Sequence, residues 1–74
     1  MFTIKVVESS TGKPANYKKV AVGFKGLLGG FTKDQYTNPS GEAHFDYDNG
    51  EAKVYVGGKV VYEGYVSGRI VVYI

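Results

Sequence analysis

Gly, Pro, Asn or Ser interrupts this chain every 6–12 residues or so, and the runs between are rich in Val, Tyr, Phe and Ile. That punctuation leaves no room for a long helix. It dictates short strands joined by tight turns. Two turn signatures are the clearest, Ser10-Thr11-Gly12-Lys13-Pro14 and Tyr36-Thr37-Asn38-Pro39-Ser40-Gly41. In the second, Pro39 presets φ and Gly41 accepts a positive φ.

A chain of 74 residues is one domain, spanning 1–74. A domain this small buries roughly 60–65% of its unfolded surface, so its stability is modest. It has no cysteine, so disulfides are excluded and the redox compartment stays open. Its core must come from aliphatic and aromatic side chains alone. Met1-Phe2-Thr3-Ile4-Lys5 does not read as a signal peptide, and no apolar run approaches a membrane span. The expectation is therefore no membrane and, by default, the cytoplasm. The net charge of +2 hides an asymmetry. Residues 1–33 carry six lysines against Glu8, whereas residues 34–74 carry Lys53, Lys59 and Arg69 against six carboxylates.

Alternation places seven strands. Residues 2–8 put Phe2, Ile4 and Val6 on one face, and Lys18–Lys25 puts Val20, Val22 and Phe24 inward. Three glycines in Gly26-Leu27-Leu28-Gly29-Gly30 break the pattern. Phe31–Thr37 is more polar and reads as an edge strand, and Glu42–Tyr47 sets Ala43, Phe45 and Tyr47 on one face. Asp48-Asn49-Gly50 signals a hairpin into Ala52, Val54 and Val56, Gly57-Gly58 a second into Lys59–Tyr65, and Ser67-Gly68 a third into Arg69–Ile74. A two-layer sandwich or a small barrel buries such strands economically. The expected core is Ile4, Val6, Val20, Val22, Phe24, Phe45, Val54, Val56, Ile70 and Val72.

Thr11-Gly12-Lys13-Pro14, the strand bearing Val20 and Val22, and Tyr36-Thr37-Asn38-x-x-Gly41-x-Ala43-x-Phe45 together resemble the transthyretin-like (prealbumin-like) domains. The carboxypeptidase regulatory-like and Cna-B-like modules are the nearest in pattern. The resemblance implies an all-β, seven-stranded antiparallel Greek-key sandwich of two sheets. Asp48-Asn49-Gly50-Glu51-Ala52 stands where the family usually has a Pro-Gly-x-Tyr hairpin. The family's hydroxyisourate hydrolases use more than one His with an Arg and end in Tyr-Arg-Gly-Ser. This chain has His44 alone and ends Val71-Val72-Tyr73-Ile74, so that activity does not carry over. The Cna-B-type isopeptide bond needs a last-strand Asn or Asp, and Arg69–Ile74 has neither.

His44 is flanked by Glu42 and Asp46 on the same strand face, but no nucleophile accompanies it. Asp46, Asp48, Asn49 and Glu51 resemble a calcium loop superficially, yet Glu51 and Gly57 occupy the positions that require Gly and a bidentate acid. Lys18, Lys19, Lys25 and Lys33 with Tyr17, Phe31 and Tyr36 form a basic-aromatic set of the kind that binds single-stranded nucleic acid. No RNP-type motif accompanies them, and lysine also serves to blunt strand edges. Leu27 and Leu28 at a loop tip, with Tyr55 and Tyr73 on outward strand positions, are the candidate partner-binding residues, although the favoured reading is that the leucines fold back to plug the open end of the sandwich and the tyrosines pair across strands to stabilise the sheet. Arg69–Ile74 lacks Pro and any charge after Arg69. Such a strand is either covered between neighbours, the placement expected here, or used to dimerise.

The sequence thus reads as a non-enzymatic structural or protein-interaction module with no catalytic residues, cofactor or metal. The partner expected is another protein rather than nucleic acid. The alternative is a nucleic-acid or carbohydrate-binding module using the Lys-rich and Tyr-bearing surface.

Overall fold

The computed structural model describes residues 1–26 and 29–74, and its architecture is all-β. Seven strands run in the order β1 Phe2–Val7, β2 Lys19–Phe24, β3 Gln35–Tyr36, β4 Glu42–Phe45, β5 Gly50–Val56, β6 Lys59–Val66 and β7 Gly68–Tyr73. They form two sheets, β4-β1-β7 and β3-β2-β5-β6. The described residues contain no helix long and apolar enough to cross a membrane.

The alternation in the sequence packs the sheets face to face. Phe2, Ile4, Val6, Ala43, Phe45 and Val72 come from the first sheet, and Val20, Val22, Ala52, Val54, Val56 and Val66 from the second; Ala15 joins them, and all are buried. Phe45 stacks on Phe2 at a centroid distance of 5.3 Å. Of the ten expected core residues, eight are buried. Phe24 and Ile70 are half-buried against the same cluster: Phe24 is the last residue of β2, and Ile70 lies on β7, at the edge of its sheet.

The edge strand β3 is shorter than the expected 31–37. Only Gln35 and Tyr36 pair regularly with β2, and upstream an isolated bridge joins Phe31 to Gly23. Thr32 fills the gap. Its hydroxyl accepts from Val22 N–H at 3.0 Å while its own N–H donates to Val22 C=O at 2.9 Å. A side chain thus does what a ladder bond would otherwise do.

Gly57-Gly58 forms the expected hairpin between β5 and β6, with φ of 58° and 86°. Two successive positive φ values suit the twist of a two-residue hairpin, and glycine reaches them without steric cost. The other two expected hairpins are corrected. β4 and β5 lie in different sheets, as do β6 and β7. The segments at 46–49 and at Ser67 are therefore corners that carry the chain across the sandwich.

That crossing also corrects the purely antiparallel expectation. Arriving from the other sheet, β7 runs parallel to β1, with Ile4 opposite Ile70 and Val6 opposite Val72. The covered placement of β7 is corrected too, because β7 is an edge strand with β1 on one side only.

Candidate functional site

The outward residues of β2 are Lys19, Ala21 and Gly23, and register decides what surrounds them. Tyr36 stands opposite Lys19, Tyr55 opposite Ala21, and Phe31 opposite Gly23. Directly paired residues share a face. Three aromatic rings therefore gather on the outer face of the four-stranded sheet, over a floor of the smallest side chains. Phe31 and Tyr55 pack with ring centroids 5.5 Å apart and tilted by 51°. With Lys19, Ala21, Asp34 and Gly58 they line a shallow hollow of about 200 Å³.

A fourth ring joins at the end of this face. Tyr17 stacks on Tyr36 with centroids 4.8 Å apart and planes 26° from parallel. Among the described residues Tyr17 is the only non-glycine with positive φ, 56°. A left-handed conformation costs an L-residue about 1–2 kcal/mol. Buried Thr37 holds it there. The Thr37 hydroxyl donates to Ala15 C=O at 2.6 Å and accepts from Lys18 N–H at 2.8 Å. Tyr17 N–H donates to Thr37 C=O at 3.0 Å. The residue is 73% exposed, so the strain leads a large aromatic out toward solvent rather than into the core.

Next to the stacked pair, at the same end of the sandwich, lies a cleft of about 320 Å³. Lys18, Lys19 and Lys59 ring it, over Val56, Gly57, Val61 and Ile74. Lys19 lines this cleft and the aromatic hollow alike. Gly57 N–H donates to Lys19 C=O at 2.9 Å, which fixes the hairpin against β2.

The charges are distributed unevenly. Among the described residues the ion pairs between permanently charged groups join Lys25 to Glu63 and Glu42 to Arg69; Lys18, Lys19 and Lys59 belong to neither. Lys25 Nζ donates to Glu63 Oε2 at 2.6 Å at the far end of the same face. That hydrogen bond holds the Glu63 carboxyl below its ordinary range, with the charges of Lys25 and Lys53 adding to it, and it raises the Lys25 ammonium.

The outer face of the three-stranded sheet carries His44. Thr3 Oγ1 lies 2.8 Å from His44 Nδ1, and Glu42 Oε1 is 3.9 Å from Nε2. Arg69 Nε reaches the other Glu42 oxygen at 3.2 Å. The imidazole side chain is 60% exposed on an open sheet surface. The described residues include no group of three His, Cys, Asp or Glu side chains placed to hold a metal ion.

The sequence-predicted partner residues do not form one site. Tyr55 lies on the aromatic face, half-buried beneath Phe31. Tyr73 lies on the other sheet, 62% exposed on the edge strand β7. Leu27 and Leu28 fall outside the described residues. Of the basic-aromatic set, Tyr17, Tyr36, Phe31, Lys18 and Lys19 do come together, whereas Lys25 is drawn away by Glu63 and Lys33 lines neither the hollow nor the cleft. Lys59, Ala21 and Gly23 were missed. The signal for the last two was present, since small residues on the outward phase of a strand leave room for rings to lie on the sheet.

No protein-family model, curated protein or solved structure matches the chain.

Proposed function

We propose that this chain is a transthyretin-like, prealbumin-like Greek-key sandwich and that it acts as a non-enzymatic protein-interaction module through the open edge of β7. Support for the fold comes from two sheets of three and four strands and from four crossings between them. The Asn38–Gly41 motif closes a turn, and Thr11–Pro14 leads out of the first turn after β1 and ends in an antiparallel bridge from Pro14 to Val7.

The observation that carries the function is the state of β7. Ile74 N–H donates to Val7 C=O and its carbonyl accepts from Ser9 N–H, at 2.9 and 2.8 Å. Backbone groups alternate in direction along a strand, so Ile70 and Val72 also face β1. Arg69, Val71 and Tyr73 then turn their N–H and C=O groups to the open side. Val71 is 41% and Tyr73 62% exposed, and beyond Arg69 neither Pro nor a charged side chain blunts this edge. An extended segment of another polypeptide adds to such an edge by main-chain hydrogen bonds, with alternate side chains supplying specificity. The same segment in a second copy of the chain is a ready partner, giving a two-fold β7–β7 pair.

Sedimentation equilibrium at high micromolar concentration tests this reading. The wild type should self-associate. Tyr73→Lys should shift it toward monomer with the β-sheet circular dichroism spectrum kept. Val71→Pro should do the same, because it removes an N–H that faces away from β1. A wild type that stays monomeric at this concentration rules the self-pairing edge out.

A further inference from the structure

We propose that the Tyr17–Tyr36 end of the molecule is a second, independent binding site, and that its ligand is single-stranded nucleic acid. The site combines the two things such a ligand needs. A π platform for an unpaired base is supplied by the stacked, exposed pair Tyr17 and Tyr36. Cations for the backbone phosphates are supplied by Lys18, Lys19 and Lys59 around the adjoining cleft, none of them spent in an ion pair among the described residues. Lys19 stands directly opposite Tyr36 across the β2–β3 ladder, so platform and charge are neighbours by register rather than by chance rotamers.

The Phe31–Tyr55 pair lies beyond Lys19 on the same face, so two aromatic stations flank one lysine. That layout follows a strand of successive bases with a phosphate between them. Tyr17 is held in its left-handed backbone conformation by the Thr37 hydrogen bonds, and its ring points into solvent. Strain retained to present an exposed side chain is a mark of a binding position. A neutral sugar would use the rings but leave the three lysines unanswered, and an acidic peptide would use the lysines but not the rings.

A short fluorescein-labelled oligothymidine, followed by anisotropy, tests the proposal. Binding should weaken about twentyfold between roughly 50 and 200 mM salt if the three lysines neutralise three phosphates of a single strand. Tyr36→Ala should weaken it about fivefold to a hundredfold. Tyr17→Gly should weaken it over the same range, and it keeps the fold because glycine takes the positive φ freely. Replacing Lys18, Lys19 and Lys59 together by Gln should abolish most of the salt dependence. No binding at low salt overturns the proposal, and so does binding that ignores both tyrosine substitutions. Equal affinity for heparin with no effect of Tyr17→Gly would identify a general polyanion surface instead. Salt-independent, tyrosine-dependent binding of a neutral oligosaccharide such as cellohexaose would identify a sugar site instead. Tyr73→Lys should leave oligothymidine binding unchanged, so failure here and failure at β7 are separable.

Discussion

Phe31 lies across the outer side of Gly23, so close that a β-carbon at position 23 would stand 2.8 Å from its Cε1. The two residues are joined by an antiparallel bridge, and the ring continues onto Tyr55. Gly23 is therefore what lets an aromatic ring rest on a sheet face. Its replacement by Ala should displace the Phe31 ring, which is 70% exposed and free to swing outward. The fold should survive, with stability changed by no more than about 1 kcal/mol. The Phe31–Tyr55 contact should be lost, read as a shift of the Tyr55 ring protons by NMR.

Gly41 behaves differently because its obstacle is backbone. Its φ is +78°, and a β-carbon there would come within 2.6 Å of the Val6 carbonyl oxygen. The same approach carries the Val6 N–H to Gly41 C=O hydrogen bond at 2.7 Å. Gly41→Ala combines a left-handed conformation with a contact that no rotamer relieves. It should destabilise the protein by about 2–4 kcal/mol. Thermal melts of the two glycine variants side by side should separate them clearly.

Phe45→Ala removes a ring that is 1% exposed and stacked on Phe2. A cavity of that kind costs about 3–5 kcal/mol. That is a large share of the stability of a domain of this size, so the variant should be largely unfolded at room temperature. A variant melting near the wild-type temperature would place Phe45 outside the core.

The Lys25–Glu63 pair predicts a pH signature. Glu63 is held below its ordinary carboxylate range by the Lys25 hydrogen bond first and the nearby positive charges second. A depressed carboxylate stabilises the fold above its unfolded pKa, and that contribution is lost as pH falls through the folded value. Lys25 is raised, so its share is present below its unfolded pKa and lost as pH rises through the folded one. The carboxyl-carbon titration of Glu63 by NMR should have its midpoint below the ordinary range. It should return toward that range in Lys25→Met. Both groups are solvent-exposed, so salt should weaken the effect.

The strands were legible from the sequence because alternation is a local property. Phe2-x-Ile4-x-Val6 and Ala52-x-Val54-x-Val56 each declare an inner face without reference to any other segment. The Gly57-Gly58 hairpin was legible for the same reason, since both strands and the turn are contiguous. Which strand follows into which sheet was not. Asp48-Asn49-Gly50 carries a strong hairpin signature yet forms a corner, because Phe45 and Ala52 are buried from opposite layers of the core. Burial of both faces outweighed a turn preference that operates over only a few residues.

The candidate site divides along the same line. Composition showed lysines and tyrosines near one another in the first half of the chain. Only the register of β2 against β3 and β5 set Tyr36 beside Lys19 and Tyr55 beside Ala21. Only the fold brought Lys59 to Lys18 and spent Lys25 on Glu63. The sequence by itself determined the strands, their faces and most of the core. The tertiary structure decided the parallel β1–β7 pairing, the open β7 edge and the aromatic-basic face. Each of these depends on contacts between residues distant in sequence, which no local periodicity encodes.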